Sequence, residues 1–137
     1  MGVKRVDGFF YGLFMDAALL SDFGVHGENP RMAYVDGFSL RIGERATLVP
    51  EAGARAYGMV FALTHDELNV LYGGPGLENY RPEAVQVSVI SGGTMPALCF
   101  NLLDEPDAHE SNAAYAEKLR DALGRLGFPD DYIATVH

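Results

Sequence analysis

An aromatic run, Phe9-Phe10-Tyr11, breaks at Gly12 and resumes as Leu13-Phe14-Met15-Asp16 with helical spacing. The pattern predicts a buried strand ending at Tyr11 and a helix beginning just after Gly12. A glycine at such a junction reaches φ angles closed to other residues, so successive N–H groups can turn toward one point. Donors converging at a helix start suit a small anion such as a carboxylate. A strand-Tyr-Gly turn is also ordinary turn chemistry, and the rest of the chain has to supply its meaning.

The chain has 137 residues, 48% hydrophobic and 21% charged, which matches one globular domain over 1–137 with an ordinary core. Ten basic residues face nineteen acidic ones, a formal net charge of -9. Such a field repels phosphate backbones and anionic lipid, so neither nucleic acid nor a membrane surface is an expected partner. The apolar runs fall far short of a bilayer span, and the start MGVKRVDG has no apolar signal core. A cytoplasmic setting is expected. Cys99 is the single cysteine, so no internal disulfide and no thiolate metal cluster can form. Its alternating apolar surroundings point to core packing.

Val6 to Tyr11 reads as a first strand, and Phe14 to Leu20 as a helix with Phe14, Ala17, Ala18 and Leu20 on one face. Ser21 to Pro30 reads as a loop. Met32 to Ile42 reads as a strand with Val35, Phe38, Leu40 and Ile42 inward and a bulge at Gly37. Thr47 to Val49 is a short strand stopped by Pro50, and after a turn Ala56 to Leu63 is another. Thr64 and Glu67 form a capping box, which starts a helix through Leu71 or Tyr72. Gly73-Gly74-Pro75-Gly76 ends it. Ala84 to Ile90 alternates as a strand, and Gly92-Gly93 predicts a type I′ turn into Met95 to Leu102. Ser111 to Leu126 is a helix with Ala114, Tyr115, Leu119, Ala122, Leu123 and Leu126 as its apolar stripe, ended by Gly127 and Pro129. Six or seven strands and three helices make a mixed α+β domain, a small, partly closed β-barrel with helices at its ends and a ligand in its mouth.

Several of these segments together resemble the γ-glutamylcyclotransferase-like family. Tyr11-Gly12, Met15-Asp16, Leu19-Leu20, Ala33 and Gly37-Phe38 resemble its opening signature of a strand ending in Tyr-Gly-Ser/Thr-Leu/Asn. Ala56-Tyr57-Gly58-Met59-Val60-Phe61 is similar to the strand before its capped helix, and Leu68 to Leu71 to the segment before its catalytic loop. Tyr80-Arg81 with Val85 and Val87 resembles the Tyr-Arg and alternating valines on the far side of that loop. The ending Leu126-Gly127-Phe128-Pro129 and Tyr132 is similar to the family's Gly-Leu-Pro-x-x-Tyr. The resemblance spans nearly the whole chain in order.

The resemblance implies a cofactor-free reaction in which the α-amine of a γ-glutamyl substrate attacks its own γ-carbonyl, closing 5-oxoproline and releasing an amine. That chemistry needs an anion cradle, donors at the developing oxyanion, and a carboxylate to move protons. Tyr11, Gly12, Leu13 and Phe14 are the expected ligand-binding turn, with Tyr80 and Arg81 as further contacts. The family's proton-carrying Glu, with Gly next to it, is matched here by Pro75 and Gly76, and Leu13 replaces a small hydroxyl residue. Both departures fall on the site. The resemblance therefore implies a protein that binds a small carboxylate, an amino acid or γ-glutamyl derivative, with standard cyclotransfer lost. The alternative is an active γ-glutamyl (amine) cyclotransferase in which Glu78 on the same loop has taken over as general acid and base.

Other chemistry finds no footing. His26, His65, His109 and His137 show no metal-binding spacing, and Asp104, Glu105, Asp107 and Glu110 do not match a calcium loop. No metal site is expected. No serine sits in a nucleophile elbow, and no glycine loop ends in Lys-Ser or Lys-Thr. Phe23 and Val25 read as exposed apolar residues on the loop after the first helix, a candidate contact surface of small weight since scattered surface hydrophobes are ordinary.

Overall fold

A computed structural model describes residues 4–75 and 77–137. The first three residues of the chain and Gly76 of the glycine-rich loop lie outside the described residues. Five strands close into a barrel: β1 (Arg5–Phe10), β2 (Glu28–Ile42), β3 (Ala46–Thr64), β4 (Tyr80–Val89) and β5 (Thr94–Leu102), in the spatial order β1-β3-β2-β4-β5. The β1–β3, β2–β3, β2–β4 and β4–β5 pairs are antiparallel, and a parallel contact at Gly8 opposite Leu98 joins β1 to β5 and completes the ring. Closure leaves no long free edge, which for an antiparallel sheet of this size removes its main aggregation hazard.

The helices are α1 (Ala17–Asp22), α2 (His65–Tyr72), α3 (Ala113–Leu126) and α4 (Asp130–Ile133), preceded by a 3₁₀ turn at Leu13–Met15. The core is continuous through barrel and helices: Phe9, Val60, Phe61, Val87 and Cys99 are buried together with Leu119 and Leu123 of α3. Asn112 caps α3 by accepting the Tyr115 N–H at 3.1 Å, and Gly127 ends it at φ +85, a conformation that costs other residues a steric clash. Among the described residues no helix is long and apolar enough to cross a membrane.

Several expectations need correction. The segment after Gly12 is a 3₁₀ turn and then α1 with Asp16 as its N-cap, so Met15 and Leu20 are buried while Ala17 and Ala18 are exposed. Part of the expected 21–30 loop belongs to α1 and β2, and of its two apolar residues only Phe23 is exposed, Val25 being buried in the core. The two runs around 47–49 and 56–63 are one strand, because β2 is long enough to pair with both: Phe38 lies opposite Pro50 and Asp36 opposite Arg55. Residues 51–54 bow out across from Gly37 alone, whose φ of +84 makes the expected bulge. This merger reduces the strand count to five. The β4–β5 turn also differs, since the Gly92 N–H donates to the Val89 carbonyl and places Ile90 and Ser91 at its centre. Gly92 and Gly93 come next with φ +127 and +85. On α3 Ala116 faces inward along with the expected Ala122, while Ala114 is exposed.

The capping box at the start of α2 is present and reaches further than its own helix. The Thr64 hydroxyl accepts the Glu67 N–H at 3.1 Å, and Glu67 Oε1 accepts the Thr64 N–H at 2.9 Å. Glu67 Oε2 accepts the His26 N–H at 2.9 Å, and Oε1 meets Arg5 of β1 at 3.2 Å. One carboxylate thus ties β1, the segment before β2 and α2 together. Partial burial pushes this carboxyl up, but the Thr64 and His26 amides, with the Thr64 hydroxyl and Arg5, outweigh that and hold it below the ordinary carboxylate value. Such a group contributes stability that is complete above its unfolded pKa and fades as pH falls through its lower folded value. Urea midpoints should therefore fall on acidification through the carboxylate range, and Glu67→Gln should flatten that dependence. Parallel pH profiles for the two proteins would contradict the assignment.

Candidate functional site

The strand directions bring the end of β1, the β2–β3 hairpin, the start of β4 and the end of β5 to one end of the barrel: Phe10, Ile42 with Ala46, and Tyr80 with Leu102. A cavity of about 290 Å³ opens there. Its lining includes Tyr11, Gly12, Leu13 and Phe14, the hairpin residues Glu44 and Arg45, Tyr72 at the end of α2, Leu77 and Tyr80 after it, and Asn112 and Tyr115 of the α3 start.

The walls are mostly aromatic. Phe14 packs edge-on against Phe10, Phe23 and Tyr72, with centroids 6.5, 5.7 and 5.6 Å away. Tyr72 stacks on Phe100 of β5 at 4.1 Å, nearly parallel. Tyr72 also approaches Tyr80 at 5.8 Å. Edge-to-face and stacked contacts of this kind hold rings in set orientations, so the hollow has rigid sides.

Gly12 is needed for a reason other than its φ freedom. Its φ is -111 and ψ -155, an extended backbone, but a Cβ there would lie 2.4 Å from the Tyr115 hydroxyl. The glycine lets α3 bring that hydroxyl onto the turn, where it accepts the Leu13 N–H at 3.1 Å. Among the described residues the N–H groups of Gly12 and Phe14 donate to no protein acceptor. Two amides on the cavity lining are thus uncommitted on either side of one that is filled.

Four tyrosines surround this turn. Tyr11 donates to the Phe100 carbonyl at 2.6 Å, and Tyr80 donates to the Ala46 carbonyl. Tyr115 accepts from Leu13, while the Tyr72 hydroxyl has no hydrogen-bond partner among the described residues. Burial pushes all four phenols above their ordinary value, Tyr11 and Tyr72 most strongly, with neighbouring phenols and Cys99 adding to the effect at those two. They are neutral hydroxyls at physiological pH, able to donate and unable to serve as anions.

Of the residues singled out by sequence, Tyr11, Gly12, Leu13, Phe14 and Tyr80 are brought together on the cavity wall. Pro75, Glu78 and Arg81 are exposed and are not among the residues that line it. The Arg81 guanidinium turns back along its own loop to the carbonyls of Glu78 and Tyr80. Glu44, Arg45, Asn112, Tyr72, Leu77 and Tyr115 line the cavity without having been singled out as site residues. A charged pair in a hairpin turn and a helix N-cap carry no local mark of a site. Burial also pushes the Cys99 thiol up to about 12, which keeps it an inert part of the core.

No protein-family model matches the chain, and no curated protein matches it in sequence. Solved structures match it in shape. A protein titled gamma-glutamyl cyclotransferase superposes with a TM-score of 0.78 at 17% identity, over 98% of this chain and 89% of that one. YkqA from Bacillus subtilis gives 0.77 at 22% identity over 95% of this chain, which spans only 52% of YkqA. A gamma-glutamyl cyclotransferase specific to glutathione from yeast gives 0.62 at 14% identity, over 97% of this chain and 96% of that one. At these identities the likeness shows the fold.

The close contact between Gly12 and Tyr115 makes a test by double-mutant cycle. Gly12→Ala should cost roughly 1–3 kcal/mol by overpacking. Tyr115→Phe should cost about 1 kcal/mol through the unpaired Leu13 amide. Because Phe removes the atom that the new methyl would strike, the double variant should lose less than the sum of the singles, measured by urea unfolding. Strict additivity would mean that the two residues do not meet.

Proposed function

We propose, from the γ-glutamylcyclotransferase-like fold of this chain, that it binds a small carboxylate, an amino acid or γ-glutamyl derivative, beside the Tyr11-Gly12 turn without carrying out standard cyclotransfer. The observation that carries the binding half is the pair of uncommitted amides of Gly12 and Phe14, residues that line an aromatic-walled cavity. Backbone N–H groups facing a hollow pair well with a carboxylate, because each oxygen accepts directed bonds where little water competes. Arg45, on the same wall and without an ion pair among the described residues, adds positive charge in a chain of net charge -9.

The loss of chemistry rests on Pro75, which stands where the resemblance expects the proton-carrying Glu. Proline has no ionisable group, and a missing general acid or base typically lowers a rate by ~10²- to 10⁴-fold. Glu78 is exposed and outside the residues that line the cavity, which favours the binding reading over a relocated acid. Tyr11, Leu13 and Phe14 form the binding turn in this reading, and Tyr80 holds the hairpin side in place through Ala46. Arg81 takes no part in the cavity wall. No cofactor enters, and we place the protein in the cytoplasm, a reducing setting with which its one buried thiol is in keeping.

The purified protein should show a raised melting temperature with γ-glutamyl amines or free amino acids and no release of 5-oxoproline. Release of 5-oxoproline by the natural protein, abolished in Glu78→Gln, would overturn the reading in favour of an enzyme. Absence of any ligand-induced stabilisation across both compound classes would overturn it altogether.

A further inference from the structure

We propose that the bound carboxylate is joined to an aromatic or bulky apolar group with one hydrogen-bond acceptor, the group lying among Phe14, Phe23, Leu77 and Tyr72 and the acceptor meeting the Tyr72 hydroxyl. This rests on the reading that the cavity holds a carboxylate, and it names the class to which that ligand belongs.

The lining divides into two parts. Glu44, Arg45 and Asn112 come from the hairpin and the α3 cap, and they lie together, since Asn112 Nδ2 donates to the Glu44 carbonyl at 3.2 Å. Phe14, Phe23 and Tyr72 come from the turn, α1 and α2, and they are joined by ring contacts of 5.6 and 5.7 Å. A ligand spanning the cavity therefore meets charge and amides on one side and rings on the other. A charged tail on the ring side would lose its water and find only a lone hydroxyl, an unfavourable exchange. A flat or branched apolar group there gains both burial and ring contacts.

Phe23 supplies a second observation. It is 48% exposed although packed edge-on against the half-buried Phe14, and it stands on the lining of the cavity. A ligand group lying against that ring would cover it. Tyr72 supplies a third. The Tyr11 and Tyr80 hydroxyls donate to Phe100 and Ala46, whereas those of Tyr72 and Tyr115 have no acceptor among the described residues, and Tyr72 is the one that stands among the rings. A donor beside those rings favours a ligand that offers it an acceptor.

Calorimetric titration of the full chain with γ-glutamylbenzylamide and with γ-glutamylglycine tests the inference. The aromatic amide should bind at least about tenfold more tightly. Phe23→Ala should lose most of that advantage while leaving the glycine compound unchanged, and Tyr72→Phe should weaken the aromatic amide several-fold. Phe23 is half exposed, and phenylalanine at 72 keeps the stack on Phe100, so both variants should fold. Circular dichroism checks this, and Phe23→Leu provides a milder substitute. Equal affinity for the two compounds overturns the inference and leaves the carboxylate reading standing. A preference for the aromatic compound that survives both substitutions overturns the placement. Binding of neither compound overturns both.

Discussion

The contact between the Tyr115 hydroxyl and the turn at Gly12 and Leu13 organises this end of the molecule. It is one hydrogen bond of 3.1 Å, but it requires a residue without a Cβ on one chain segment and a phenol at the right turn of a helix on another. With that bond made, α3 lies against the 3₁₀ turn and its first turn becomes a cavity wall. Asn112 extends the same join, capping α3 with its Oδ1 and reaching the Glu44 carbonyl with its Nδ2. The hairpin, the helix and the post-β1 turn are thereby held together by polar atoms, while rings fill the space between them.

The barrel explains why this hollow is at one end. Antiparallel neighbours and a single parallel closure send β1 and β5 out of the same face where β3 and β4 enter. Chain segments leaving a closed barrel must turn, and turning segments carry the unpaired amides that a sheet interior cannot tolerate. Tyr11 and Tyr80 each give their hydroxyl to a neighbouring strand-end carbonyl, Phe100 and Ala46, and so fasten the rim without exposing those oxygens to a bound molecule. Two rim carbonyls are thus occupied, while the Gly12 and Phe14 amides nearby have no protein acceptor among the described residues.

The parts of this architecture legible in the sequence are those set by local chemistry. The Thr64–Glu67 capping box, the αL glycine after α3, the bulge at Gly37 and the alternation of Val85 and Val87 each arise from a few adjacent residues, and each is found. Pairing over long distances was not legible. Pro50 reads as a strand breaker in isolation, yet β3 passes through it because β2 offers a partner along its whole length and the four residues 51–54 can bow outward. The site shows the same division. Its turn announces itself as an aromatic run broken by glycine, but the need for that glycine comes from a tyrosine far along the chain. Glu44, Arg45 and Asn112 reach the cavity only because the hairpin and α3 meet, a fact absent from either segment alone.

Leu13 and Tyr115 are separated by 102 positions. During synthesis the turn therefore emerges early, and its hydrogen-bond partner on α3 emerges only after all five strands. Only when the last long helix has left the ribosome can the phenol seat itself and the hollow acquire its far wall. A chain interrupted ahead of α3 would lack Leu119 and Leu123 from its core as well as the phenol at the turn, so core and cavity wall are completed by the same late helix.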